Sequence, residues 1–271
     1  MKILPCGSIY TSLHGVMEYY LRDLAEQQAK HHQVTVVVHN HQYHLITSKT
    51  TIETIENIEV IRQKSLKPIL FTPIMLGLNR LINKKIDEGL VELIHISWPN
   101  PSALMLLLNK KARKLPWVIQ WQSDMVTKNS SWLLKLAYIF FKPFETKLLK
   151  KSSVIIASSE NYLSHSIALK EYRNKCQIIP LGIKTLKPPI VAKDIEWANN
   201  LWGQAKTKIF NIGRLTFYKN HQSLIKAAIE LPETTFIIAG SGQLEKQLKQ
   251  KIKQHSLKNV ILTRSEENTS E

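Results

Sequence analysis

The chain has 271 residues, 44% of them apolar and 21% charged, which excludes wholesale disorder and leaves room for one large domain or two smaller ones with their own cores. Its 37 Lys and Arg against 21 Asp and Glu give a net charge of +16, a surface that attracts polyanions: nucleic acid, anionic lipid or phosphorylated substrates. Only two cysteines occur, Cys6 and Cys176, in no CxxC pattern, so a disulfide framework and a zinc ribbon are excluded and a reducing cytoplasm is expected.

The chain opens on Lys2 to Pro5, a short strand; the stretch up to Cys6 and Gly7 is no secretory signal. A helical pattern runs from Val16 to Lys30, and Val34 to Val38 is a continuous β-branched run of the kind buried in parallel sheets. Further strands are predicted at Ile58 to Ile61, Leu93 to Ile96, Val118 to Trp121, Val154 to Ala157 and Gln177 to Ile179. Helices are predicted over Ile74 to Asp87, Ser102 to Lys114, Trp132 to Lys150 and Glu160 to Leu169. This alternation is that of βαβ units and a doubly wound parallel sheet. The longest apolar runs, Ser102 to Leu108 and Leu136 to Phe141, are too short to span a membrane.

A break follows at Pro180-Leu181-Gly182 and the turn-rich Thr185 to Pro189. The alternation restarts with a strand at Lys208 to Ile212, a helix at His221 to Glu230, a strand at Thr235 to Ala239, a helix at Gln243 to His255 and a strand at Asn259 to Thr263. The expected division is a first α/β domain over 1–184, a linker over 185–204 and a second domain over 205–271. Three strands are fewer than a doubly wound domain normally carries, so the second domain is expected to be incomplete.

Three strand-to-helix junctions have the composition of phosphate-binding loops. Gly15 precedes a helix, where a side-chain-free backbone lets N–H groups approach an anion at a positive helix end; a plain turn is the competing reading. Gly213 to Asn220 places Arg214 and Lys219 after a strand, at the carboxyl edge where open α/β sheets bind ligands. Two fixed cations there suit a departing diphosphate, although a solvated basic loop is the alternative. Ala239-Gly240-Ser241-Gly242 is a weak GxG signal that gains weight from lying one βα unit later.

Taken together, these segments resemble the retaining, GT-B-type glycosyltransferases of family 4, in order along almost the whole chain. Gly15 to Ala25 is similar to that family's N-terminal glycine loop and helix, His95 to Pro101 (HISWPNP) to its HxHxPNP segment, and Gln120 to Val126 to its xxHSDIV segment. Ser159 to Tyr162 and Ile179 to Ile183 resemble the end of its first domain, Gly213 to Asn220 its GRLxxxKG loop, and Ala239 to Gly242 its GxG turn. The resemblance implies two Rossmann-like domains, an acceptor-side first domain and a second domain that binds a nucleotide-sugar. It further implies transfer of a mannose- or glucose-type hexose to a glycan or lipid-linked acceptor with retention, without a metal or other cofactor, in surface polysaccharide biosynthesis.

By the same resemblance, Gln122 and Asp124 stand at catalytic positions, Gly15, Arg214 and Lys219 hold the diphosphate, Gly213, Gly240, Ser241 and Gly242 form the donor-side loop, and His95 and Asn100 lie on the acceptor side. The sequence departs from the pattern at Val16, Ser97 and Gln122, where the family has glycine, histidine and histidine. Gln122 keeps a donor for a sugar hydroxyl but loses the proton chemistry of imidazole. The family's Glu-x7-Glu segment would fall beyond residue 271, and the adjacent Glu266 and Glu267 lie too early to replace it. A non-catalytic remnant with weak ligand binding is therefore the alternative reading, and a basic nucleic-acid-binding protein a more distant one.

Other signals carry lower weight. His39, His41 and His44 follow a strand but lack a carboxylate or cysteine companion, so a polar loop outranks a metal site. His31-His32 reads as a turn after a helix. The basic run Lys246 to Lys253 has Leu248 and Ile252 at the spacing of one buried stripe, and no motif specifies a nucleic-acid groove. Lys64 to Lys85 and, more clearly, Lys135 to Lys151 mix lysines with apolar and aromatic residues. The second stretch is expected either to dock on an anionic membrane surface, at the inner face of the membrane, or to pack its aromatic residues on the sheet.

Overall fold

The computed structural model describes residues 1–7, 10, 16–42, 45–46, 49–69, 72–125, 132–182 and 191–263. The chain divides into two compact units, Met1–Thr185 and Leu186–Glu271.

The first unit is built on strands β1 (Lys2–Cys6), β2 (Gln33–Gln42), β3 (Leu45–Ile46), β4 (Thr51–Ile55), β5 (Ile58–Ile69), β6 (Thr72–Met75), β7 (Leu93–Trp98), β8 (Trp117–Trp121), β9 (Val154–Ala157) and β10 (Cys176–Ile178). Its helices are α1 (Val16–Ala29), α2 (Leu78–Asp87), α3 (Trp132–Lys151) and α4 (Glu160–His165). The parallel part of the sheet runs β5-β2-β1-β7-β8-β9-β10. Chain order thus reverses between β1 and β7, the doubly wound arrangement whose switch point opens a crevice at the carboxyl ends of those two strands.

Strand alternation sorts the side chains. Leu4, Cys6, Ile94, Ile96, Trp98, Trp117, Ile119 and Trp121 share a large core with Leu78 and Ile82 of α2 and Leu148 and Leu149 of α3. The Trp98 and Trp121 rings stack there at 5.4 Å, with Phe141 of α3 5.9 Å from Trp98. Opposite, Leu21 and Ala25 of α1 pack on Val34, Val36, Val38 and Val60.

Four sequence expectations are corrected. The helix expected from Ile74 starts only at Leu78, because 72–75 pair antiparallel with β5 and Gly77, at φ 74, turns the chain between them. The helix expected over Ser102–Lys114 is 3₁₀ at Pro101–Leu108 and Ala112–Lys114; Asn109 Oδ1 accepts the Lys111 and Ala112 N–H groups, each at 3.0 Å, and so interrupts it. The hairpin β4–β5 went unpredicted; it turns through Glu56 and Asn57, at φ 47 and 65, the left-handed pair a two-residue hairpin needs. His39 and His41 lie within β2 rather than in a loop after it, and His39 Nε2 is buried 2.9 Å from Ser102 Oγ. His44 lies outside the described residues.

The second unit contains α5 (Ala192–Trp202), β11 (Thr207–Ile212), α6 (His221–Glu230), β12 (Thr234–Ala239), α7 (Glu245–Gln254) and β13 (Val260–Thr263). The stretch expected as a linker therefore holds a helix. Three parallel strands in the order β11-β12-β13 are covered on one face by α6 and α7, through Ile225, Ala228, Phe236, Ile238 and Leu248. The basic helix α7 thus buries Leu248 and packs Ile252 against that core, the single stripe its spacing predicts.

Candidate functional site

Strands of a parallel sheet covered on both faces read as near-continuous apolar runs. β7 and β8 break that rule at His95, Ser97 and Gln120, all buried. The register pairs Pro5 with His95 and Ser97 with Gln120, so these residues share one face of the sheet. That face meets α1: Tyr20 donates to Gln120 Oε1 at 3.1 Å, and Gln28 Nε2 lies 3.4 Å from His95 Nδ1. Burial pushes the His95 imidazole down to about 4, so it is neutral at physiological pH.

Buried polar atoms without partners recur along β7, β8 and the loops that follow them. His95 Nε2, Ser97 Oγ, Trp98 Nε1, Asn100 Oδ1, Gln120 Nε2 and Gln122 Oε1 are buried with no hydrogen-bond partner among the described residues. Buried polar atoms are rarely left unpaired, and so many in one stretch mark a place where a polar ligand or water can bind. Asn100 follows β7, and its Nδ2 sits 3.8 Å from Cys6 Sγ at the end of β1. Gln122 follows β8, and its N–H donates to Trp98 O at 3.1 Å, which holds the loops after β7 and β8 side by side. Asn100 and Gln122 therefore lie at the carboxyl ends of β7 and β8, near the switch point; His95 lies further back within β7, beneath the C-terminal end of α1, and Gly15 lies outside the described residues.

Asp124 is placed differently. Its Oδ1 accepts from Trp121 Nε1 at 3.0 Å, Tyr162 OH at 2.8 Å and Ser166 Oγ at 2.7 Å, and its Oδ2 from the Ile167 N–H at 3.1 Å. Both carboxylate oxygens are engaged by the protein, tying the loop that carries Gln122 to the end of α4.

The pH dependence of stability follows from His95. The unfolded chain takes up a proton near the ordinary imidazole value of 6.5, but the folded one only near 4. Between those values the unfolded state binds more protons, so stability is full above about pH 6.5, falls as pH drops to about 4, and falls no further from this source below that. The loss approaches about 3 kcal/mol. Urea denaturation across this window should lose the His95 contribution to its pH slope in His95→Gln.

In the second unit, two βα loops are packed backbone on backbone. Gly213 N–H donates to Ala239 O at 3.0 Å, Leu215 N–H to Ser241 O at 2.9 Å, and Leu244 N–H back to Leu215 O at 3.0 Å. Gly240 and Gly242 adopt φ of 147 and 156, and a Cβ on either would stand 2.1 Å from Gly213 O or 2.6 Å from Leu215 O. No rotamer relieves a clash with backbone. Gly242→Ala should destabilise this unit by about 2 kcal/mol or more, read as lost hydrogen-exchange protection on β11 and β12.

This packing sets the basic loop. Arg214 and Lys219 are both exposed, and among the described residues neither pairs with a carboxylate; the Lys219 stem crosses Gly213 at about 3.7 Å from its ideal Cβ position. The loop ends on Asn220 at φ 52, a left-handed residue opening α6, which explains how asparagine stands where the GRLxxxKG pattern has glycine. The sequence reading missed His221, which is buried with Nε2 3.1 Å from Arg214 O and so anchors the backbone that carries the guanidinium. Its only sequence signal is a histidine beginning a helix beside a basic loop.

Two family models match in succession. Residues 17–186 match Glycosyltransferase Family 4, and residues 193–269 match Glycosyl transferases group 1. The chain belongs to glycosyltransferase family 4. It is 30% identical to the O-antigen chain mannosyltransferase C of Escherichia coli over 211 residues, covering 77% of this chain and 53% of that protein. It is 28% identical to the D-rhamnosyltransferase WbpZ of Pseudomonas aeruginosa over 170 residues, covering 61% of this chain and 41% of that one. The family 4 chain thus spans about half the length of these curated relatives. Among solved structures, Anabaena Alr3699/HepE in complex with UDP and glucose superposes with a TM-score of 0.64 at 17% identity, over 97% of this chain and 69% of that one. The fold is that of the GT-B glycosyltransferases, two Rossmann-like units of which the second is small.

Proposed function

We propose that this glycosyltransferase moves a hexose, of mannose type ahead of glucose type, from a nucleotide-sugar to a glycan or lipid-linked acceptor with retention, in surface polysaccharide assembly. The observation that carries the reading is the pair of interlocked loops in the second unit, which present Arg214 and Lys219 exposed, and without a carboxylate partner among the described residues, at the carboxyl end of a parallel strand. As a glycosidic bond to a nucleoside diphosphate breaks, negative charge accumulates on the phosphate oxygens. Preorganised cations stabilise that charge more than they stabilise the bound donor, and only this difference accelerates transfer. Gly240 and Gly242 let the two loops close on each other, since a Cβ on either would strike Gly213 O or Leu215 O, and so fix the backbone that carries the two cations.

In the first unit, Asn100 and Gln122, at the carboxyl ends of β7 and β8, take the acceptor and the transferred sugar. A neutral His95 lies beneath α1 and supports this part of the sheet without contributing charge; the Gln122 amide supplies a donor beside the sugar. Asp124 acts through the loop it holds. Mannose comes first because the relatives named above are a mannosyltransferase and a D-rhamnosyltransferase, and an O-antigen acceptor is suggested by the first of them. The described residues need no metal for this scheme, since the leaving diphosphate is met by side-chain cations. The two cysteines are free thiols, in keeping with a cytoplasmic site of action.

The test is to incubate the protein with GDP-mannose or UDP-glucose and an oligosaccharide or lipid-linked acceptor, and to determine the anomeric configuration of the product by NMR. Retained configuration with release of the nucleoside diphosphate is expected. An inverted product would overturn the mechanism.

A further inference from the structure

Helix α3 has two unlike faces. Phe141, Leu148 and Leu149 point into the core, and Glu145 is buried with them, accepting a short hydrogen bond from Tyr138 OH. Aromatic residues of the inner face do pack on the sheet, as the sequence allows, but they are not the whole set. On the opposite face Trp132 is 75% exposed, Leu136 48%, Ile139 64%, Phe140 74% and Phe144 50%. Their spacing keeps them on one side of a helix for three turns, a stripe about 18 Å long.

Charge says what covers it. Within Trp132–Lys151 there are five lysines, at 135, 142, 147, 150 and 151, and the only acid, Glu145, faces inward. Lys142, Lys147 and Lys150 are exposed around and beyond the apolar stripe, and Lys147 Nζ lies 6.0 Å from the Phe144 ring. Bulky apolar side chains bordered by lysines, on a helix with no outward carboxylate, match a surface that is apolar inside and anionic at its edge. No helix among the described residues is long and apolar enough to cross a membrane, so the fit is to lying in the interface.

We propose that the outer face of α3 docks the protein on an anionic lipid bilayer, with Trp132, Ile139, Phe140 and Phe144 inserted between head groups and Lys142, Lys147 and Lys150 on lipid phosphates. The proposal stands or falls independently of the donor reading.

The experiment is flotation of the full chain with vesicles of phosphatidylcholine alone and of phosphatidylcholine with about 30% phosphatidylglycerol. Binding to the anionic vesicles only, weakened by added salt, is expected. Phe140→Glu should reduce it about tenfold or more, and Lys142→Gln with Lys147→Gln likewise, since each surface lysine contributes about a tenfold share or less. Because Phe140 is 74% exposed and Lys142 and Lys147 are exposed, all variants should keep a melting temperature close to the parent's, which controls for misfolding. Binding that ignores vesicle charge, or survives Phe140→Glu, overturns the proposal. So does an absence of vesicle binding coupled to self-association that Phe140→Glu abolishes, which would assign the face to a second copy of the chain.

Discussion

Replacing Arg214 with alanine is expected to lower the transfer rate by about 10²–10³, and Lys219→Ala by a similar factor, with a smaller effect on acceptor KM. The size follows from the role proposed for these groups. An exposed cation gives a resting ligand little, because water screens it. The same cation held over a phosphate in a site that excludes water stabilises developing charge by about 3–4 kcal/mol. The geometry makes the two residues separable: Arg214 sits on backbone clamped by His221 and by Leu215, while Lys219 reaches across Gly213 from the far end of the loop. Arg214→Lys should restore only part of the activity, because a point charge cannot engage two phosphate oxygens as a planar fork does. His221→Ala should resemble a mild Arg214 defect, since it frees the carbonyl without removing the charge. Full activity in Arg214→Ala would reject the phosphate role.

Asp124→Ala is expected to act on stability first. The substitution strands three donors, the Tyr162 and Ser166 hydroxyls and the Ile167 amide, in a partly buried place, and leaves the Trp121 indole N–H only the Tyr162 oxygen. Unsatisfied donors at such a hub cost about 3 kcal/mol, the hydroxyls less because they can rotate toward water. For a unit of this size that lowers the unfolding midpoint by roughly 6–12 °C. Differential scanning calorimetry reads the shift directly. Gln122→Ala, by contrast, should leave the midpoint nearly unchanged and lower turnover, because its side-chain oxygen has no partner to lose among the described residues. The two residues stand two positions apart, yet one holds the loop in place and the other is presented by it.

The parallel sheet was legible because its strands are the β-branched apolar runs that a two-sided burial demands; β2, β9 and the strands of the second unit fall where those runs do. What failed has specific causes. Residues 101–108 are apolar on all sides, so no period distinguishes an α-helix from the 3₁₀ turns that Asn109 and the packing impose. The strand β4 is polar and exposed along an edge, and its turn puts Glu56 in a left-handed conformation that glutamate seldom advertises. At the site, the glycine loops and the basic pair were visible as local patterns. The polar layer beneath α1 was not, because Tyr20 meets Gln120 and Gln28 meets His95 across 100 and 67 residues of sequence. Gln120 in particular reads as an ordinary interruption in a strand until the register places it beside Ser97.

The central claim is that the second unit recognises a nucleoside diphosphate through the interlocked loops. Isothermal titration of GDP and UDP into the protein, with Arg214→Ala alongside, tests it most directly. The account predicts saturable binding of one equivalent of at least one of them, weakened tenfold or more, about 1.4 kcal/mol, in the variant. Absence of heat with both nucleotides, or equal affinity in Arg214→Ala, would contradict it.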